Sequence, residues 1–154
     1  MTASQAGCLP CQMEAAEDAA VIFRDELWAC EVTPGFEVPG WLVLRLRRHA
    51  VRIVGLGDRE LTTYARHLSD VVAAITEVTG APTTYQLTFS EANPHFHTLL
   101  APRGEDVPPE RRFGGILEQR SDKLDRPAAL ALVPGIARAY ARLASRPETL
   151  ETGV

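Results

Sequence analysis

Two cysteines near the start of the chain and four scattered histidines are residue types that can bind a metal ion. Cys8 and Cys11 form a Cys-x-x-Cys motif, which occurs in redox pairs, in zinc sites and by chance. The redox interpretation requires a strand-to-helix junction within a βαβ unit, whereas this motif precedes every predicted strand. A zinc site needs two more ligands, and histidine is the natural type to supply them. The motif therefore favours zinc over redox chemistry.

The four histidines fall into three settings. His67 lies at the border of the apolar face of a predicted helix, and we interpret it as a surface residue of that helix. His49 follows two arginines at the end of a predicted strand. His95 and His97 alternate on one strand, so they project from the same face with Cα atoms about 6.6 Å apart. Two imidazoles at that spacing can serve two adjacent sites, but spacing alone leaves a structural role equally open.

Composition limits the kind of protein that can contain these groups. The 154 residues are 45% apolar, which predicts one globular domain over residues 1–146 and a polar C-terminal tail over 147–154. A net charge of −4 argues against a nucleic-acid-binding surface. No apolar run is long enough to span a bilayer, and the first residues lack a signal peptide pattern. We therefore expect a cytoplasmic protein that binds neither nucleic acid nor membrane.

The elements that must position the histidines follow from periodicity and from turn residues. One apolar stripe predicts a long helix that begins at Asp58 as N-cap and stops at Gly80. Pro127 is suited to open a second helix, which should kink or stop near Pro134–Gly135 before a last segment over 136–144. Strands are predicted over 21–23, 27–32, 41–46, 83–89 and 96–101. Strands and helices do not alternate, so we predict an α+β fold with an antiparallel sheet.

The order of these features resembles the histidine-triad (HIT) family, from about Cys8 to Arg103. The resemblance rests on Asp25-Glu26-Leu27-Trp28, Pro39-Gly40, Arg47-Arg48-His49-Ala50, the long helix, and His95-Phe96-His97-Thr98-Leu99-Leu100-Ala101-Pro102-Arg103. It implies an antiparallel five-stranded sheet with one long helix and a shorter C-terminal helical region. It also implies a homodimer.

The resemblance assigns roles to individual residues. The family pattern is His-x-His-x-His, in which His95 matches the first position, His97 the second and Leu99 the third. Zinc-containing members have ligands that match Cys8, Cys11, His49 and His95, which implies one structural Zn²⁺. The stretch from Asn93 to His97 is also similar to the Asn-Pro-His-x-His motif of galactose-1-phosphate uridylyltransferases, whose third position is glutamine.

The implied chemistry is nucleotidyl transfer with His97 as the catalytic residue. In the family the middle histidine attacks an α-phosphate and forms a nucleotidyl-His intermediate, which water or another acceptor resolves. The implied substrate is a nucleoside phosphate, a phosphoramidate or a dinucleotide, with Glu91, Asn93 and Leu99 at substrate-binding positions. Leu99 cannot donate a hydrogen bond to phosphate, and a carboxylate at Glu91 repels phosphate unless it is paired or turned away.

Two other functions are compatible with these departures. The scaffold could act on a non-nucleotide small molecule, with His97 as acid or base and Glu91 sharing the work. Alternatively, it could be a non-catalytic binding protein stabilised by zinc. Three further residues receive structural interpretations, Cys30 as a small buried hydrophobe and Trp28 and Trp41 as core or dimer contacts.

Overall fold

A computed structural model describes residues 5–147. Five strands lie within these residues, β1 (Val21–Arg24), β2 (Trp28–Glu31), β3 (Leu42–Leu46), β4 (Thr83–Leu87) and β5 (His97–Arg103). They form one antiparallel sheet in the order β1-β2-β3-β5-β4. The α+β class and the five-stranded antiparallel sheet are therefore confirmed. The division into a domain and a tail stays a prediction, since residues 1–4 and 148–154 lie outside the described part.

Four α-helices accompany the sheet in the part of the chain that the structure describes. They are α1 (Leu9–Gln12), α2 (Asp58–Thr79), α3 (Gln119–Asp122) and α4 (Arg126–Ala144). Short 3₁₀ turns occupy residues 13–15, 18–20, 53–55, 109–111 and 113–118. Within residues 5–147, none of the helices is both long enough and apolar enough to cross a membrane.

The long helix α2 has well-defined ends. Its N-cap is Gly57 rather than Asp58, and the Glu60 side chain accepts a hydrogen bond of 2.7 Å from the Gly57 backbone N–H. Gly80 ends the helix with a φ of +67°, in the left-handed region that glycine adopts without a steric cost. The expected stop at Gly80 is thus correct, and the start differs by one residue.

The helix α4 is one element from Arg126 to Ala144 with Pro134 inside it, so the expected stop near Pro134–Gly135 is wrong, and the alternative of a kink stays a prediction. An interior proline removes one backbone hydrogen bond and costs about 3 kcal/mol. Packing of α4 against α2 and β1 offsets that cost. A Cβ built at Gly135 would lie 3.6 Å from the Val78 side chain of α2, an ordinary van der Waals distance, so the two helices are in contact at this position.

Apolar side chains alternate to the two faces of the sheet and build two cores. The helices α2 and α4 cover one face, where Trp28, Cys30 and Leu44 are fully buried. The N-terminal segment and residues 107–117 cover the other face, around Trp41 and Leu99. The structural interpretations of Cys30, Trp28 and Trp41 agree with this burial.

Candidate metal centre and catalytic cleft

Four sequence-distant side chains converge beside the start of β5. Cys8 is the N-cap residue of α1 and Cys11 lies within that helix, while His49 follows the end of β3. His95 pairs with Val51 in an isolated bridge just before β5. One potential ligand atom from each of the four residues lies within 4.8 Å of the others.

The distances within this cluster suit a tetrahedral zinc ion. The Cys8 Sγ lies 3.3 Å from the His95 Nδ1, and the Cys11 Sγ lies 3.4 Å from the Nδ1 atoms of both His49 and His95. Sulfur and nitrogen ligands of one tetrahedral zinc are about 3.5 Å apart, given the usual metal–ligand bond lengths. Two thiols and two imidazoles also form a familiar structural zinc set. The four residues therefore fit Zn²⁺.

A hydrogen bond behind His95 orients it as a metal ligand. Its Nε2 donates to the backbone carbonyl oxygen of Leu46 at 2.7 Å, which leaves Nδ1 unprotonated and facing the two sulfur atoms. Burial lowers the pKa of His95 to about 4, so its ring is neutral near pH 7. Burial raises the pKa of the Cys8 thiol, and a bound cation has the opposite effect because it favours the thiolate.

A buried ion network attaches the cysteine segment to the sheet. The Arg45 side chain is 0% exposed and donates to both oxygens of Glu31, at 2.9 and 2.7 Å, and to Glu14 at 2.8 Å. Arg47 also donates to Glu14, at 3.1 Å. Burial alone would raise the pKa of Glu14, but the hydrogen bonds from Arg47 and Arg45 outweigh it and lower this pKa to about 2. Glu14 thus stays charged and holds the segment that carries Cys8 and Cys11.

His97 occupies a different environment two residues after His95. It is half-buried, and its Nδ1 donates to the backbone carbonyl oxygen of His95 at 2.6 Å. This bond leaves the Nε2 lone pair available. Arg45 is the residue directly opposite His97 on β3, so the ion network and His97 share one face of the sheet.

His97 lines a cleft of about 290 Å³. The three predicted substrate-binding residues Glu91, Asn93 and Leu99 line the same cleft, so the structure brings all four together. Sequence reasoning missed the other residues that line it, among them Phe36, Leu117 and Arg120. Leu117 and Arg120 belong to an irregular segment after Gly114-Gly115, where no periodic pattern could have indicated them.

Leu99 belongs to a core as much as to the cleft. It is 8% exposed, and it faces Val43 on one side and Leu87 on the other in the sheet register. Leu117 packs on the same cluster. The position matching the third histidine of the triad is therefore built into an apolar wall.

His67 lies in neither the metal centre nor the cleft. Its Nδ1 is 2.8 Å from the Tyr140 hydroxyl, and its Nε2 is 3.1 Å from the Asp25 carboxylate. The ring also stacks on Phe23. The interpretation as a surface residue is wrong, because these contacts make His67 a half-buried bridge between α2, α4 and the end of β1.

Comparison with solved structures identifies the fold. A hypothetical histidine triad nucleotide-binding protein from Sulfolobus tokodaii superposes with a TM-score of 0.70, covering 95% of this chain and 100% of its own at 16% identity. A zinc-bound histidine triad family protein from Mycobacterium smegmatis gives 0.64, with 90% and 96% coverage at 17% identity. The chain has the histidine-triad fold.

A uridylyltransferase shares this fold over about half of its own length. The TM-score is 0.64 at 19% identity, covering 88% of this chain and 48% of that one. No protein-family model matches the sequence, and no curated protein is significantly similar to it. The zinc-bound protein from Mycobacterium smegmatis and the Cys₂His₂ cluster together agree with the prediction of zinc as cofactor.

Proposed function

We propose that this protein is a nucleotidyl hydrolase or transferase of the histidine-triad type, with His97 as its nucleophile. The observation that carries the proposal is the state of the His97 ring. Nδ1 is occupied by the hydrogen bond to the His95 carbonyl, so Nε2 is the nucleophilic nitrogen. The ring lines a cleft next to the residues that match the family's phosphate-binding stretch.

The proposed reaction has two displacements at phosphorus. Nε2 of His97 attacks the α-phosphorus, the bond to the leaving group breaks, and the leaving group takes the electron pair and a proton from solvent. Water then attacks the nucleotidyl-His and gives up a proton to solvent, the P–N bond breaks, and a nucleoside monophosphate leaves while His97 returns to its neutral form. The hydrogen bond from Nδ1 to the His95 carbonyl stabilises the positive charge that the ring acquires in the intermediate.

The metal centre supports this chemistry from outside the cleft. Cys8, Cys11, His49 and His95 would hold Zn²⁺ with all four tetrahedral positions filled by protein, which supplies structural support at the start of β5. A bound zinc ion would fix His95, and it would thereby orient His97, because the His97 Nδ1 is hydrogen-bonded to the backbone carbonyl of His95.

Rapid quenching followed by intact-protein mass spectrometry tests the proposal. Wild-type protein mixed with adenosine 5′-phosphoramidate should show an adenylyl adduct, and His97→Asn should show none. Asparagine is chosen because its side-chain amide can still donate to the His95 carbonyl, so the local fold is retained. His67→Gln is the matched control, since it removes a histidine outside the cleft and should keep the adduct.

A second candidate function rests on Glu91 and Leu99. Glu91 lines the same cleft as His97 and forms no ion pair within residues 5–147. Leu99 gives the cleft an apolar wall where the triad has a polar group. Together they suit acid–base chemistry on a non-nucleotide small molecule. Turnover that requires His97 and Glu91 but never yields an adduct would support this alternative over the first.

We also propose that the ligand is a small molecule of the nucleotide type, in line with the nucleotide-binding protein and the uridylyltransferase that share the fold. We propose in addition that the protein works in the cytoplasm and as a homodimer. The edge of β4 that faces away from β5 has no strand partner among the described residues, so one edge of the sheet is open to a second copy.

A further inference from the structure

The cleft around His97 has an unusual balance of charge for a phosphate site. Its polar lining groups include the carboxylate of Glu91 and the amide of Asn93, while the triad's third position contributes only the Leu99 side chain. A site of this composition, without a cation, would repel the anion on which the proposed reaction acts. Some other group must offset Glu91 if the proposed function holds.

Arg120 is the only permanently charged cation among the described residues that line this cleft. It comes from α3, which follows directly after Leu117, and Leu117 packs on the sheet face that carries Leu99 and His97. Within residues 5–147 its guanidinium takes part in no ion pair, unlike most of the other arginines described. Its charge is therefore available to a ligand.

The guanidinium of Arg120 is held in place by two contacts. Its carbon atom lies 4.0 Å from the centre of the Phe36 ring, in a cation–π arrangement. Its Nε donates to the backbone carbonyl oxygen of Gly35. Gly35 has a φ of +81°, in the left-handed region that favours glycine, and its Cα side faces the Arg120 guanidinium. Because only Nε is used, the terminal N–H groups remain free to bind oxygen atoms in pairs.

We infer that Arg120 is the anion-binding residue of the His97 cleft, supplying from the C-terminal segment the charge that Leu99 cannot supply. This inference rests on the proposed function and narrows the substrate. A cleft of about 290 Å³ is slightly smaller than the range of about 300–1,000 Å³ for small-molecule sites. The substrate is then a compact phosphate ester or phosphoramidate with an apolar part against Leu99 and Leu117.

Binding measurements on a protein that cannot turn over test this inference. In the His97→Asn background, the dissociation constants of adenosine monophosphate and uncharged adenosine are measured by calorimetry. Adding Arg120→Gln should weaken adenosine monophosphate binding by roughly 10- to 100-fold, the range for a lost charge-assisted hydrogen bond. Adenosine binding should change less than about threefold by the same reasoning, because adenosine has no anion for Arg120 to bind.

Two further variants separate anion binding from a structural role. Arg59→Gln removes an exposed arginine, 73% exposed and paired only with Glu26, and should leave both constants unchanged. Arg120→Lys retains the charge without the planar group, and should recover a large part of the phosphate-dependent binding. If glutamine and lysine variants lose adenosine and adenosine monophosphate binding equally, Arg120 only supports the cleft wall and the inference is wrong.

The inference and the proposed function can fail separately. An adenylyl adduct on His97 that forms equally fast in Arg120→Gln would overturn the role of Arg120 while leaving the function intact. Arg120-dependent binding of adenosine monophosphate without any His97 adduct would support the anion site and reject nucleotidyl transfer.

Discussion

His95 and His97 lie two residues apart at the start of β5, yet they belong to sites of opposite character. His95 is fully buried, with Nδ1 facing two thiols and Nε2 bonded to a carbonyl oxygen. His97 is half-buried, with only Nδ1 bonded and Nε2 free beside the cleft. Both side chains are imidazole rings, so the chemical role of each is determined by its burial and by the partner of its second ring nitrogen.

The two sites also differ in what surrounds them. The metal centre is enclosed by the N-terminal segment, which the Glu14–Arg45 ion pair ties to the middle of the sheet. The cleft is bounded by exposed groups such as Glu91 and by the short helix that carries Arg120. Changes in the first region should therefore act on stability, and changes in the second on binding and catalysis.

The largest expected effect comes from removing a metal ligand. Cys8→Ala should abolish binding of one zinc per chain and lower Tm by on the order of 10 °C, because metal-binding energy is partly folding energy. His97→Asn should keep the zinc and change Tm by less than about 3 °C, since the asparagine amide can still donate to the His95 carbonyl and a weakened neutral hydrogen bond costs at most about 1 kcal/mol. Metal analysis and thermal unfolding of both variants measure this contrast.

The control for that contrast is the third cysteine. Cys30 is fully buried but lies outside the ligand cluster, so Cys30→Ala should keep a full zinc content. Two results would contradict the separation of the metal centre from the cleft. One is a zinc content of one ion per chain in Cys8→Ala, and the other is loss of zinc in His97→Asn.

A smaller effect should follow from restoring the third histidine. Leu99 is packed against Val43 and Leu117, so an imidazole at this position is buried without a polar partner. Leu99→His should lower the free energy of unfolding by about 1–3 kcal/mol, measured by urea unfolding, with the zinc content unchanged. Leu99→Met, which nearly conserves volume, should cost less than about 1.5 kcal/mol. If Leu99→His keeps wild-type stability and speeds turnover, position 99 faces the substrate rather than the core.

The sequence was informative wherever a local pattern determines the structure. Alternating apolar residues located the strands, and the stripe between Asp58 and Gly80 located α2 to within one residue. The four zinc ligands could also be predicted, because one Cys-x-x-Cys motif and four histidines allow few Cys₂His₂ combinations. The family resemblance selects one of these combinations.

The remaining features depend on long-range contacts that local patterns do not encode. A charged residue such as Arg45 within a strand predicts an exposed side chain. Both faces of β3 are covered, however, and Arg45 is buried against Glu31 and Glu14. Pro134 in α4 predicts a kink or a stop, but the helix does not stop there because packing on α2 maintains it. Arg120 follows a stretch without periodicity, so its place in the cleft follows only from the tertiary fold.

The smallest expected effect concerns His67, whose imidazole ring lies in a third kind of environment. Asp25 and Asp70 attract a proton to it, Tyr140 bonds its Nδ1, and Phe23 covers its face. Burial outweighs the two carboxylates and lowers the pKa of His67 below its usual 6.5. The unfolded chain therefore takes up a proton at a higher pH than the folded protein does.

The sign of the pH effect follows from that difference. The stabilising contribution of neutral His67 is complete above pH 6.5 and decreases as the pH falls below 6.5 towards the lowered folded-state pKa. The free energy of unfolding should thus fall with pH in this window more steeply in wild type than in His67→Gln, which cannot titrate. Subtracting the two urea-unfolding series removes the contribution of the metal ligands, which both proteins share. In Asp25→Asn one attracting carboxylate is absent, so the decrease should extend to lower pH. Parallel curves for wild type and His67→Gln would mean that His67 is protonated equally in both states, and that burial does not determine the state of this ring as it does for His95.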